Sequence, residues 1–325
     1  MIDVRVCKDL GEIHGLWQRY WPRKCLFDLW PVRSCFQRHF QQSPHVLVAE
    51  RRGVFRGMVA LSWIDEEQYF GHFPGELWHG KTWLEQNRIL AGDQAAFEAL
   101  WEAVPDMAQI RYLHPDGYLP EGTVVALDEI GYLFQPSRYG YDFGAYMAEF
   151  SGKTRKKMRC EIDRLHAKGV SYRYNRLADV DRLFRLNMEA FGKHSYFSDG
   201  RFLRAFEDLV IWLHSHDMLR VTTVLVGGEM AAVDIGAVWN GIYTVVAGGA
   251  CADFPGVAKL INFHHLEWAC AQQLREVDFL CGEFNWKNRF HLTPRPLYQM
   301  VKRVPVEAAC VHLAPHASDL ICATG

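Results

Sequence analysis

The 325-residue sequence predicts an α/β (α+β) fold in two domains, and three observations support this. The length corresponds to about two domains at roughly 100–200 residues each. Strand-like and helix-like segments mix through both halves. In the second half, three consecutive strand-length runs are followed by a loop, a long helix and a short strand.

Residues 4–6 read as a short opening strand, and residues 10–40 as helical segments rich in Trp and Arg. Residues 45–49 and 57–61 read as paired strands turned at Arg52-Gly53. Asp93 is placed to cap a helix through Phe97, Leu100 and Trp101 that stops before Pro105. Residues 110–113 form the next strand. Residues 135–140 contain Pro136 and Gly140 and read as a linker, which sets domains at 1–138 and 139–325.

The second domain begins with a basic helix over 153–168, followed by an amphipathic helix over 202–213. Strands are predicted at 219–226, 230–239 and 242–250. Gly227-Gly228 joins the first pair. Asn240-Gly241 joins the second in a two-residue hairpin that needs positive φ at both positions. A loop over 251–256 leads into a helix over 257–273, apolar on most faces and so covered on more than one side. A short strand over 277–280 ends at Gly282.

Composition excludes several classes. Lys and Arg number 36 against 38 Asp and Glu, a net charge of −2, which excludes a general polyanion binder. A hydrophobic share of 49% with 23% charged residues excludes a disordered chain. No uncharged apolar run reaches about 18 residues, so no spanning helix is expected. Met1 to Arg5 carry an early acid and lack the features of a secretory signal. The nine cysteines are scattered without a CxxC pair, so structural zinc or another metal is not expected. They read as buried free thiols of a cytoplasmic protein. The aromatic share of 14% serves either a large core or a stacking surface.

A strand that feeds a helix through a tight loop presents backbone N–H groups at the helix start, where they bind anions. Gly256 either belongs to such a site or only makes a turn.

Three stretches resemble the GNAT-type acyltransferase domain of the CelD-like and FemAB-like families. Ser151-Gly152-Lys153-Thr154-Arg155-Lys156-Lys157-Met158-Arg159 is similar to the basic helix start ahead of that domain. Phe254-Pro255-Gly256-Val257-Ala258-Lys259-Leu260 resembles the Ser-Pro-Gly loop into its central helix, with Phe254 in place of Ser. Asp278-Phe279-Leu280-Cys281-Gly282-Glu283-Phe284-Asn285-Trp286-Lys287 resembles a strand ending in Gly-Asp, two variable residues, then Tyr-Lys. Gly282 and Lys287 match, while Glu283 and Trp286 are conservative departures. The order and spacing agree over about half the chain, residues 141–304. By analogy with the Fem type, the first domain is a divergent GNAT-like partner, so tandem GNAT-like domains are expected. Each would be a mixed, mainly antiparallel sheet flanked by helices.

The resemblance implies acyl transfer from acetyl-CoA or another acyl-CoA to an amine or hydroxyl of a small molecule or saccharide. The pyrophosphate would lie on backbone N–H groups of Gly256, Val257, Ala258, Lys259 and Leu260. The pantetheine amides would pair along a strand edge at Val245, Val246 and Ala247, where an N–H also polarises the thioester carbonyl. An amine acceptor needs a base. Asp234, inside an apolar strand, either has a structural partner or faces a cleft. Glu283, at a strand's carboxyl end, is the second catalytic candidate.

Lys287 contacts a phosphate or acidic substrate or pairs with Glu283, and Asn285 and Trp286 are substrate-side candidates. His264 and His265 read as packing histidines. Asn262 binds ligand or bonds locally. The basic helix is either a solvated face or a patch for an anionic substrate or membrane surface. DNA is not an expected partner. The alternatives are a Fem-like aminoacyl-tRNA-dependent peptidyltransferase and a non-catalytic binding module.

Overall fold

The computed structural model describes residues 1–118, 125–282 and 285–302. The chain divides into two compact units, Met1–Gly131 with the chain from Cys281 onward, and Tyr132–Leu280.

The first unit begins with β1 (Asp3–Cys7), α1 (Leu10–Tyr20), α2 (Trp30–Phe40), β2 (Ser43–Arg51), β3 (Val54–Ile64) and β4 (Tyr69–His72). It continues with β5 (Ile89–Ala91), α3 (Gln94–Ala103), β6 (Ala108–Leu113) and β7 (Val125–Phe134), whose last residues fall in the second unit. Asp9 caps α1 by accepting the Glu12 N–H, and Asp93 caps α3 by accepting that of Ala96. β2 is buried on both faces, so its apolar run divides by alternation. Val46 and Val48 pack with Ile13, Trp17, Met58 and Phe73. Leu47 and Ala49 pack with Leu61, Phe97 and Leu100.

The second unit contains α4 (Phe143–Ala148), α5 (Gly152–His166), β8 (Val170–Tyr174), α6 (Val180–Phe191) and α7 (Gly200–Ser215). β9 (Leu219–Val226), β10 (Glu229–Trp239), β11 (Ile242–Ala250), α8 (Val257–Ala271) and β12 (Glu276–Asp278) follow. Its strand order is β12-β11-β10-β9-β8. The β9–β10–β11 meander forms as predicted, and Asn240 and Gly241 turn its second hairpin at φ 52° and 73°. Successive residues of β11 face opposite layers. Gly249 lies against Leu183 and Leu186 of α6, whereas Gly248 faces Asp234 on the α8 side. On that side Leu165 of α5 packs with Val224, Ala232, Leu260 and Ile261.

After Leu280 the chain returns to the first unit through α9 (Asn285–Arg289) and β13 (Thr293–Lys302). The reason is strand pairing, since β13 runs antiparallel to β6 with Tyr298 opposite Leu113 and Lys302 opposite Ala108. The division at 138/139 assigns this return segment to the second domain. The sheet of the first unit runs β1-β2-β3-β4-β6-β13-β7, with β5 on β3.

The aromatic surplus enters the cores. The rings of Trp17 and Trp21 stack at 3.9 Å, and Trp30 stacks on Phe73 at 5.4 Å. Phe197, Phe202 and Phe206 form a second cluster beside α7. The expectation of buried thiols holds for Cys7, Cys25, Cys35 and Cys270, but Cys160 is exposed on α5. Among the described residues no helix is long and apolar enough to cross a membrane.

Candidate acyl-transfer site

The site grows from the way β11 leaves β12. The two run parallel for three pairs, Ile242–Glu276, Tyr243–Val277 and Thr244–Asp278. Beyond Thr244, β11 continues without β12. On its other edge the register with β10 shifts, so that Ile235 faces Ala247 and Gly236 faces Val245. Val246 is therefore the extra residue of a bulge, a feature that re-aims backbone groups. Val245, Val246 and Ala247 thus lie where β11 is both bulged and unpaired by β12.

β11 ends in the loop that opens α8. Gly256 is the N-cap at φ 92°, a left-handed conformation that a β-branched residue does not adopt without strain. The Val257 N–H bonds the Phe254 carbonyl and the Leu260 N–H bonds the Gly256 carbonyl, each at 3.0 Å. Those donors, two of the five expected to hold a pyrophosphate, are already engaged. The N–H groups of Ala258 and Lys259 have no partner among the described residues. They are the donors left open at this helix end.

Helix α5 adjoins this end of α8. Glu161 pairs with the Lys259 ammonium, and its oxygen is 4.0 Å from Lys157 Nζ. Lys153, Arg155, Lys156, Arg159, Arg164 and Lys168 are exposed. The basic face is solvated, and one carboxylate faces the start of α8.

Asp234 and His265 come together, which spacing alone did not join. Asp234, 6% exposed, bonds His265 Nε2 through Oδ2 at 2.9 Å, and His265 is fully buried. This is the structural-partner arrangement. The Asp234 carboxylate is engaged by a buried imidazole. His264 stacks on Tyr172 at 4.1 Å and bonds the Tyr174 hydroxyl. Burial first, then its charged neighbours, lower the His264 pKa to about 4. The imidazole is neutral at pH 7 and packs, as expected.

Glu283 lies outside the described residues. Asn285 opens α9, and Trp286 meets Phe290 edge-on at 5.1 Å. Lys287 is only 2% exposed, and its ammonium donates to the Cys281 carbonyl at 2.8 Å. The other side of that residue is held by Glu85, whose carboxylate accepts the Cys281 N–H at 2.8 and 3.0 Å. Glu85 was missed because 196 residues separate it from Cys281 and no local pattern links them.

Residues 152–288 match the family model described as the acetyltransferase (GNAT) domain. No curated protein matches the chain. A conserved protein of unknown function from Bacteroides thetaiotaomicron is similar in structure at 14% identity and TM-score 0.57, covering 91% of this chain and 99% of that one. The FemX structure follows at 9% identity and TM-score 0.55, covering 92% and 98%. A tandem GNAT protein from the clavulanic acid biosynthesis pathway is 11% identical at TM-score 0.52, covering 94% and 99%. At these identities the likeness is one of fold, the tandem GNAT-like architecture expected from the sequence.

Proposed function

We propose that the chain is an acyl-CoA-dependent N- or O-acyltransferase acting on a small molecule or saccharide, a reading supported by the match of residues 152–288 to the GNAT acetyltransferase family model. The observation that carries this reading is the parting of β11 from β12 after Thr244, with the bulge at Val246. It supports an extended ligand lying along β11 as an added strand.

The residues present suit acyl-CoA. Its pyrophosphate would rest on the free N–H groups of Ala258 and Lys259 at the start of α8, and its pantetheine along Val245–Ala247. Bound there, acyl-CoA supplies an activated thioester carbonyl. A backbone N–H at the bulge would be the donor toward that carbonyl oxygen as negative charge develops there. Glu283 is assigned as the base that takes the proton from the acceptor. Asp234 is assigned to support β11 from below, since its Oδ1 lies 2.4 Å from where a Cβ on Gly248 would stand. The described cysteines, none of them in a disulfide, suit a reducing, cytoplasmic setting.

Calorimetry with acetyl-CoA and with free CoA tests the reading, and saturable binding near one equivalent is expected. Absence of heat and of thermal stabilisation at millimolar ligand would overturn it. Glu283→Gln is expected to bind acetyl-CoA normally and to lose turnover. Full turnover across the pH range would remove Glu283 from the mechanism.

A further inference from the structure

Toward the other end of α8, the second unit holds a cation without a counter-charge. Arg220, in β9, has its guanidinium 3.7 Å from the Trp268 ring and 5.0 Å from the Tyr174 ring. Among the described residues it makes no ion pair or hydrogen bond, and its Nε is buried without a partner. Burial lowers its pKa.

The polar groups around it are similarly placed. His265 Nδ1 is buried without a partner. The Thr222 and Tyr243 hydroxyls lie side by side and form no bond of standard geometry. Arg220 pairs with Gly236 and Thr222 with Asp234 in the β9–β10 register, so these groups share the sheet face beneath α8. Buried donors without acceptors are rare in folded proteins, and a partly buried cation without a partner is costly. The carboxyl end of α8 carries a partial negative charge that favours a nearby cation. Its terminal carbonyls do not satisfy Arg220. Those of Trp268, Ala269 and Cys270 already accept from Gln272, Leu274 and Gln273.

We propose that Arg220 anchors an oxyanion-binding site that takes a phosphate or carboxylate group. Stacking on Trp268 and Tyr174 fixes the guanidinium plane and leaves its N–H edge for two parallel bonds to the oxyanion. The Tyr174 wall is itself fixed, because its hydroxyl bonds His264 Nε2 at 2.9 Å. His264 is neutral at pH 7 and adds no second cation. Trp268 is 12 residues past Gly256 in the sequence. At 1.5 Å per residue that is about 18 Å along the helix, so the site is separate from the N–H groups at its start.

The test is NMR of the full chain carrying ¹⁵N-labelled arginine. Inorganic phosphate and acetate are titrated separately, with and without coenzyme A. The Arg220 Nε–Hε resonance, identified by its absence in Arg220→Gln, is expected to shift saturably at millimolar anion and to do so also with coenzyme A present. Phosphate is expected to raise the melting temperature of the wild type through this site. Arg220→Lys keeps the charge and loses the fork, and should weaken binding about tenfold. A response to phosphate alone assigns a phosphoryl ligand, to acetate alone a carboxylate, and to both a general oxyanion site. An Arg220 resonance unmoved by either anion would overturn the proposal. So would binding that coenzyme A abolishes. Should Arg220→Gln fold poorly, Tyr174→Leu takes its place, and undiminished phosphate affinity in that variant would overturn it equally.

Discussion

Replacing Gly256 separates backbone strain from steric clash. A Cβ built on Gly256 meets Leu165 Cδ1 at 3.8 Å and Glu161 Cβ at 4.0 Å, both ordinary contacts. The cost therefore arises from φ 92° alone. For an L-residue in this region it is about 1–2 kcal/mol, with valine at the upper end because of its branched Cβ. In a unit of this size that lowers the melting temperature by about 2–4 °C per kcal/mol. The chain can also relieve the strain by leaving the left-handed region, which tilts the Ala258 and Lys259 N–H groups away from a common anion. Loss of two hydrogen bonds to a charged phosphate, at about 1.5 kcal/mol each, amounts to about a hundredfold in affinity. Gly256→Val is thus expected to fold, melt a few degrees lower, and bind coenzyme A about a hundredfold more weakly by calorimetry. Gly256→Ala should fall between it and the wild type. A folded Gly256→Val protein with wild-type affinity would refute the assignment of the α8 start as the pyrophosphate site.

Three further outcomes follow from particular contacts. Glu161→Gln removes the carboxylate facing the start of α8 and frees Lys259, so coenzyme A affinity should rise about two- to fivefold at low salt. Unchanged affinity at low and high salt would count against that placement. Asp234→Ala strands the buried His265 imidazole and should cost about 2 kcal/mol, while Asp234→Asn should keep both stability and turnover. Normal melting with lost turnover in Asp234→Asn would make Asp234 the base. In the first unit, burial raises the Glu76 carboxyl from 4.5 to about 7. The folded state therefore holds a proton that the unfolded chain releases between pH 4.5 and 7. The resulting stabilisation is full below 4.5 and lost as pH rises through 7, by about 3 kcal/mol. His72, which burial lowers from 6.5 to about 3, opposes this trend on the acid side. Glu76→Gln isolates the effect, because its carbonyl still accepts the Trp83 and Leu84 N–H groups. Chemical denaturation should show the variant gaining on the wild type between pH 5 and about 8. A pH-independent difference would refute it.

The sequence was most legible where structure is local. The meander of the second unit, its Asn-Gly turn, the α8 start and the Asp93 cap all follow from signals within a few residues. The short strands β4 and β5 were missed, and so were β7, β8 and β13. Each of the latter three borrows its stability from a distant partner, as β13 does from β6, and β8 is a short edge strand whose charged face gives a weak pattern. Asp234 was visible as an anomaly in an apolar strand, but its partner was not, because strand spacing says nothing about which helix covers a residue. Glu85 gave no signal, since 196 residues separate it from the Cys281 N–H that it accepts. The function rested on the three-part resemblance, not on composition, which only removed alternatives.

The two units solve one topological problem differently, which explains why the readable chemistry concentrates in one of them. In each, a parallel pair parts after a short run, β11 from β12 and β4 from β6. In the first unit the chain fills its own opening. Beyond the Phe70–Ala108 pair, Asn87 bonds the Tyr112 carbonyl and accepts the His114 N–H, each at 2.8 Å. β5 takes the edge of β3 that β4 has left. Arg33, fully buried, ties this filling together by donating to the carbonyls of Phe27 and Phe73 and to Asn87 Oδ1. Arg33 also lines a small pocket with His72, Glu76 and Asn87. An extended thioester arm needs a run of unpaired strand edge, and here those donors and acceptors are already spent within the chain. In the second unit the Val245–Ala247 stretch keeps its β12 side open, and the free N–H groups of α8 follow a few residues later. An arm that pairs with β11 would therefore reach the open N–H groups of the α8 start in the same short stretch of chain, whereas the matching opening beside β4 and β6 is filled among the described residues of the first unit.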